Sequence, residues 1–184
     1  MTAPTLTMLL RQVREGDDGA RDRLIEGVYQ ELRTVAERQF AREGAGHTLQ
    51  PTALVAEAWM RLDGHEDEFE SRAHFFGAAA RAMRQVLIDH ARRSRALKRG
   101  GLAARETLSG LPGTDDAFDV VDVDDALTAL AARDEGLAAI VELRFFAGLT
   151  VEEVAELRGL STATVKRHWT FARAWLFDRM KQSD

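Results

Sequence analysis

The 184-residue sequence contains no cysteine, three prolines and one tyrosine. Without thiols, the chain has no disulfides, no thiolate metal ligands and no cysteine nucleophile. No segment approaches the roughly 20 apolar residues that span a bilayer, and the N-terminus lacks the apolar run of a signal peptide. We therefore expect a cytoplasmic protein. Because prolines are few and apolar residues recur mostly at helical spacing, the sequence predicts an all-α fold.

Neither the histidines nor the serines form a pattern that supports catalysis. The histidines are scattered without the helical pairing typical of zinc sites. The serines stand in cap, linker and basic-tail settings without a base partner. We therefore expect no enzyme activity, no metal, no cofactor and no small-molecule substrate.

The formal net charge of -5 conceals a strong segregation of charge. Residues 72–101 include eight basic side chains and one acidic one, Asp89. Residues 106–125 include seven acidic side chains and no basic one. The net negative charge of the chain therefore does not exclude an anionic partner, because the basic segment 72–101 can bind a polyanion such as DNA.

Helical periodicity and the linker together predict two small helical domains. The helices expected in the first domain span approximately 6–16, 18–42, 51–62 and 71–100. Aspartates and a Leu-Pro-Gly turn mark the linker, after which helices resume near Asp125. The predicted division is a four-helix domain over 1–101, an acidic linker over 102–125 and a second helical domain over 126–184.

The segment 148–169 has the pattern of a helix-turn-helix. Thr150 and Glu153 are spaced as a capping box. Gly159 suits the left-handed end of a short helix, and Ser161 can cap the next one. On that next helix, the apolar side is formed by Val165, Trp169, Ala172 and Leu176. The opposite side is formed by Ala163, Lys166, Arg167, Thr170 and Ala174.

The outward side of this second helix is a candidate DNA-reading surface. Arg167 is the first candidate for base contact, because a guanidinium can bind guanine bidentately in the major groove. Lys166 and Arg173 are expected at phosphates, which position a protein without specifying sequence. The predicted DNA-binding set is Ala163, Lys166, Arg167, Thr170 and Arg173. An ordinary helical hairpin with a solvated basic face remains the alternative for this segment alone.

Three stretches, 49–62, 69–93 and 143–176, together resemble a bacterial RNA polymerase sigma factor of the extracytoplasmic-function (ECF) group in the sigma-70 family. With the linker in place, the resemblance covers nearly the whole chain. It implies a protein that binds core RNA polymerase and directs promoter-specific initiation. The C-terminal domain would read the minus-thirty-five element and the N-terminal domain would melt the minus-ten element. An anti-sigma factor is a further candidate partner.

The resemblance also implies a polymerase-binding surface on the helix at 51–62. In this family, that helix docks on a coiled coil of the largest-subunit clamp. The matching residues here are Leu54, Glu57, Ala58 and Arg61. Glu57 and Arg61 lie one helical turn apart and can form a polar rim beside the apolar stripe.

The loop and long helix that follow resemble the family's minus-ten melting element, which captures an unstacked base. Such capture needs stacking surfaces and cations along the backbone. Phe69 and His74 are the expected stacking residues, whereas Phe75 and Phe76 fall on the buried stripe. The expected cationic track is Arg72, Arg81, Arg84, Arg92, Arg93 and Arg95. Asp89 is expected to pair with Arg92 or Arg93 at helical spacing. The family's common Trp-Leu-Tyr-Arg run is replaced here by HFFGAAARAMRQ, which is typical of a subgroup.

A chain of this charge is expected to bind duplex DNA weakly on its own, since affinity follows the number of phosphates neutralised. Polymerase would make two weak binding surfaces act together by holding them at a fixed separation. We further hypothesise that the aspartates of 115–125 screen the basic helix in the free protein. The alternative interpretation is a homodimeric, ligand-responsive helix-turn-helix repressor, which would bind DNA without polymerase.

Overall fold

The computed structural model describes residues 6–40, 49–65, 69–97, 107–108 and 118–182. Within these ranges, the regular elements are eight α-helices, one π-helical turn and two strands of two residues each. The helices are α1 (Leu6–Arg14), α2 (Asp18–Phe40), α3 (Pro51–Leu62), α4 (Arg72–Leu97), α5 (Val120–Arg133), α6 (Glu135–Val141), α7 (Val151–Arg158) and α8 (Thr162–Lys181). The π turn is Glu142–Phe146, and the antiparallel strands are β1 (Thr107–Leu108) and β2 (Phe118–Asp119). The all-α prediction is confirmed.

Local sequence signals set several of the helix boundaries. Pro51 opens α3, where its missing N–H costs no hydrogen bond. The Ser71 hydroxyl accepts a hydrogen bond from the backbone N–H of His74 at 3.1 Å and so caps α4. The start of α5 differs from the prediction: it begins at Val120, inside the stretch predicted as linker, rather than near Asp125.

The long helix α4 lies between the two halves of the chain. On one side it contacts α3 and α1, and on the other it contacts α5, α7 and the π turn. The buried apolar residues of both halves belong to one continuous hydrophobic cluster. The two predicted helical domains therefore pack directly on each other through α4.

A cap and a π turn interrupt the helical stretch that precedes the helix-turn-helix. Asp134 caps the start of α6, because its carboxylate accepts a hydrogen bond from the Leu137 N–H at 2.9 Å. The turn Glu142–Phe146 then closes with a hydrogen bond from the Ala147 N–H to the Glu142 carbonyl at 3.1 Å. The wider π turn changes the directions of the side chains around it relative to an α-helix. Phe146, at its end, is fully buried.

Candidate nucleic-acid interfaces

The predicted caps set the start of α7 and the turn between α7 and α8. The Thr150 hydroxyl accepts from the Glu153 N–H at 3.1 Å, and the Glu153 carboxylate accepts from the Thr150 N–H at 2.7 Å. Gly159 has a φ of 63°, the left-handed conformation that suits glycine. Ser161 caps α8 by accepting from the Thr164 N–H at 3.0 Å. The capping-box and helix-end predictions are confirmed.

One side of α8 is fixed in the core of the C-terminal half. The buried residues include the predicted stripe of Val165, Trp169, Ala172 and Leu176. Arg144 holds this packing from the π turn: its guanidinium lies 5.0 Å from the Trp169 ring centroid and donates to the Leu149 carbonyl at 3.0 Å. This contact was not predicted, because the pairing of Arg144 with Trp169 depends on how the π turn folds over α8.

The opposite side of α8 is exposed, as the helical period predicted. The exposed positions are Ala163, Lys166, Arg167, Thr170 and Ala174. Arg173 is half-buried, and the Thr170 hydroxyl donates to the Lys166 carbonyl at 2.9 Å. Phe171, which the sequence pattern did not single out, is 53% exposed beside Arg167. Its place on the helix could have revealed it, since residues four apart share a face.

Arg84 does not lie in an open cationic track. Its guanidinium donates to the Asp124 carboxylate at 2.7 Å, to the Glu142 carboxylate at 2.8 Å and to the Thr128 hydroxyl at 2.8 Å. Its side chain is only 15% exposed. In this conformation Arg84 is therefore unavailable to DNA, because α5 and the π turn supply its partners. We call this group of four side chains the Arg84 clasp.

The predicted arginines near the C-terminal end of α4 remain on the surface. Arg92 is 57% exposed and lies 3.8 Å from the Asp124 carboxylate. Arg93 is 62% exposed and lies 3.8 Å from the Glu57 carboxylate. The side chain of Arg95 lies outside the described part of the structure.

Arg72 and His74 lie in the first turn of α4, and Arg81 lies more than two turns further along it. Arg72 pairs with Glu31 at 3.5 Å, and its guanidinium lies 5.0 Å from the Phe76 ring centroid. His74 and Arg81 line a cleft of about 410 Å³ between α4 and the C-terminal half, which Glu142 also lines. Both side chains are exposed there.

Phe69 is buried rather than presented for stacking. Its ring is 5% exposed and packs edge-on against His74, at 5.7 Å between centroids, and against Phe75, at 5.3 Å. Burial in the aromatic cluster stabilises the loop before α4 more than exposure to water would. Of the two expected stacking residues, only His74 is accessible in this conformation. Phe75 and Phe76 are buried, as predicted.

The predicted polymerase-binding helix, α3, turns its apolar candidates inward. Leu54 and Ala58 are fully buried in the packing of α3 with α2 and α4, so they cannot touch a partner in this conformation. Glu57 and Arg61 lie toward the surface, where each pairs with a residue of α4. Met60, which the sequence analysis did not select, is 69% exposed.

Asp89 pairs with a different arginine from those predicted. Its carboxylate accepts from Arg61 at 2.8 Å and from Gln85 at 3.0 Å, whereas Arg93 donates to the Asp89 backbone carbonyl at 3.2 Å. Burial alone would raise the pKa of Asp89, but the hydrogen bonds from Arg61 and Gln85 and the nearby arginine charges hold that pKa below its usual value. Asp89 therefore joins α3 to α4.

Substituting Asp89→Asn is expected to lower the free energy of unfolding at pH 7 by at most about 1 kcal/mol, because the ion pair is partly solvated. The folded-state pKa lies below the unfolded one, so the stabilisation is present above the unfolded pKa and is lost as the pH falls through the folded pKa. Denaturant unfolding of both proteins between pH 7 and pH 3 measures this. The difference between them should hold down to about pH 4 and then shrink.

Glu37→Gln is the matched control, since it removes a more exposed carboxylate paired with Arg33 within α2. We expect Glu37→Gln to lower the free energy of unfolding by less than Asp89→Asn does. A difference between wild type and Asp89→Asn that grows on acidification would contradict the role assigned to Asp89.

The described residues also bear on membrane insertion and metal binding. No helix there is both long enough and apolar enough to cross a membrane. In the same residues, no group of three or more histidine, aspartate or glutamate side chains is arranged to hold a metal ion.

Comparison with known proteins extends the resemblance seen in the three sequence stretches. A family model described as ECF sigma factor matches residues 3–182, a range that includes all eight helices. No curated protein matches the chain. The family match therefore spans both halves of the structure and the segment between them.

Proposed function

This chain belongs to the ECF sigma factor family and acts in transcription initiation with core RNA polymerase and promoter DNA. From that premise we propose that its C-terminal half reads the minus-thirty-five element and that its N-terminal half melts the minus-ten element. The protein is a specificity subunit and not an enzyme. Its action is in the cytoplasm, with the polymerase.

The minus-thirty-five assignment is supported above all by the exposed side of α8. The Thr150 cap fixes the start of α7, Gly159 and the Ser161 cap fix the turn to α8, and the buried Trp169 fixes the rotation of α8 about its axis. Arg167 and Lys166 then stand together on the surface. A helix so presented enters the major groove, where Arg167 contacts a guanine and Lys166 a phosphate.

The minus-ten assignment is supported by the cations and the accessible imidazole of α4. Arg81, Arg92 and Arg93 are exposed along the helix, and His74 is exposed at its start. Cations of this kind follow a single-stranded backbone while an aromatic ring stacks on an unpaired base. Arg84 joins this surface only after the clasp opens, and Phe69 only after it leaves its cluster.

Polymerase docking is proposed for the surface side of α3. Glu57 and Met60 are three residues apart and so lie on one face of the helix. Met60 offers a flexible apolar side chain, 69% exposed, of the kind that adapts to a partner surface. Glu57 and Arg61 supply charge at its edge, once their pairs with α4 exchange for contacts with polymerase.

Weak DNA binding by the free chain is consistent with its charge and with the clasp. The net charge is -5, and Arg84 of α4, only 15% exposed, is paired with two carboxylates. Polymerase would fix the separation of the two DNA-binding surfaces, so that each raises the effective concentration of the other at the promoter. Promoter recognition then belongs to the complex.

Transcription reconstituted with core polymerase on a promoter library tests the proposal. We expect defined start sites preceded by two conserved elements, and no specific initiation by core polymerase alone. Analytical sedimentation of the free chain measures its oligomeric state as a second test. A stable homodimer that binds duplex selectively without polymerase would identify the helix-turn-helix repressor instead.

A further inference from the structure

Phe171 is a large apolar side chain on the polar, exposed side of α8. It is 53% exposed, whereas Phe69, Phe75, Phe76, Phe145 and Phe146 are all buried. Full burial of a phenylalanine side chain contributes about 1.5–3 kcal/mol, and a half-exposed ring forgoes part of that free energy. An exposed ring at a binding surface is therefore a candidate contact for the surface that covers it in the complex.

The helical geometry places Phe171 next to the proposed base-reading residue. Arg167 and Phe171 are four residues apart, so their side chains are neighbours on one face, separated by about 6 Å along the helix axis. Successive base pairs are about 3.4 Å apart. If Arg167 reaches a guanine, the ring of Phe171 falls about two base pairs away in the same groove.

The chemistry of the major groove offers one good partner for such a ring. Base edges there present hydrogen-bond donors and acceptors, except for the C5-methyl group of thymine, which takes apolar contacts from side chains such as phenylalanine. Thr170, beside Phe171, has its hydroxyl engaged with the Lys166 carbonyl at 2.9 Å. The surface next to Arg167 is therefore more apolar than its residue types suggest.

We propose that Phe171 is a specificity-determining residue that contacts a thymine methyl group in the minus-thirty-five element, about two base pairs from the base contacted by Arg167. This inference rests on the proposed function, since it needs α8 in the major groove. It adds a preference for thymine that the basic residues of α8 do not supply.

Replacing thymine by uracil tests this directly, because uracil lacks only the methyl group and keeps the same hydrogen bonds. Initiation by the reconstituted holoenzyme is measured on promoters with single thymine-to-uracil changes along the upstream element. For the wild type, we expect a loss of about fourfold at one or two adjacent positions, the effect of one buried methyl group. For Phe171→Ala, thymine and uracil should give equal rates at those positions.

Phe177→Ala is the matched control, since Phe177 is on α8 but packs against Lys181, 4.2 Å from its ring centroid. That variant should keep the difference between thymine and uracil. Thermal melting of each variant checks that the fold is retained, which is expected because Phe171 is exposed and Phe177 is only half-buried.

Two results would overturn the proposal. The wild type could treat thymine and uracil alike at every upstream position. Alternatively, Phe171→Ala could keep the wild-type difference; if it also lowered initiation equally on all promoters, the ring would lie against protein instead of DNA. Failure of the wild type to initiate specifically at any promoter would refute the proposed function itself and is a separate outcome.

Discussion

Neutralising the two carboxylates of the Arg84 clasp, with Asp124→Asn and Glu142→Gln together, is expected to raise the population of the open form about 100-fold. Arg84, Asp124 and Glu142 are 15%, 16% and 12% exposed, so the guanidinium would stay buried without a counter-charge. Breaking a buried ion pair on one side costs about 3 kcal/mol. Since about 1.4 kcal/mol is a factor of ten, the closed form weakens by roughly two orders of magnitude.

The absence of cysteine allows a sensitive measurement of this opening. Leu143, on the π turn, is 3% exposed and lines the cleft with α4. A Leu143→Cys substitution puts a single thiol there, and its labelling rate follows the opening equilibrium when closing is fast. We expect this rate to rise about 100-fold when the clasp carboxylates are neutralised in the same background.

Arg92→Ala is the control for the clasp, because Arg92 is 57% exposed and lies 3.8 Å from the same Asp124 carboxylate. Its pair should contribute less than about 1 kcal/mol, so labelling should change little. The neutralised variant should also bind single-stranded minus-ten DNA more tightly than wild type at low salt, since Arg84 is retained. Unchanged labelling and unchanged binding would refute the clasp. The hypothesis that the aspartates of 115–125 screen the basic helix stays a prediction, because Asp124 is the one member of that set changed here.

Arg167→Ala is expected to reduce initiation by about 5-fold to 100-fold at promoters with the preferred upstream guanine. A bidentate contact of arginine with guanine discriminates by about 1–3 kcal/mol, and alanine removes it. The loss should be confined to the upstream element: the variant should tolerate any base at the position that Arg167 reads and keep the wild-type minus-ten preference. Rates on a library randomised in both elements measure this.

Lys166→Ala separates base reading from phosphate binding on the same helix. Its loss should weaken initiation uniformly across upstream sequences and lower the slope of log affinity against log salt by about one. If Arg167→Ala altered the minus-ten preference instead of the upstream one, the assignment of the two readers to the two halves would be wrong.

The C-terminal half was predicted well because its signals are local. The capping box at Thr150, the left-handed Gly159 and the Ser161 cap each depend on residues three or four positions away, and all three predictions are confirmed. The exposed side of α8 likewise followed from its period. Phe171 was missed because the apolar positions were assigned to the buried stripe and an exposed one was not sought.

The partners and burial that the sequence did not predict all depend on contacts between distant parts of the chain. Arg84 bonds to Asp124 and Glu142, 40 and 58 positions away, and nothing in the helical period of α4 marks it for burial. Asp89 pairs with Arg61, 28 positions away, although nearer arginines follow it. Leu54 was assigned to a partner surface through the family resemblance, but the packing of α3 between α2 and α4 buries it.

In the closed molecule the clasp buries Arg84 of α4, whereas the exposed side of α8 remains at the surface. The two proposed DNA-binding surfaces therefore differ in how accessible they are. If α8 reads duplex and α4 separates strands, as proposed, α8 can contact the groove of intact duplex while Arg84 of α4 is still paired with α5 and the π turn. One hydrophobic cluster runs through both halves. Separating the halves would therefore expose apolar surface to water, at a free-energy cost of about 25 cal/mol per Å². Whatever takes α4 away from α5 must therefore cover that surface, which ties the ability to hold single strands to the arrival of a partner.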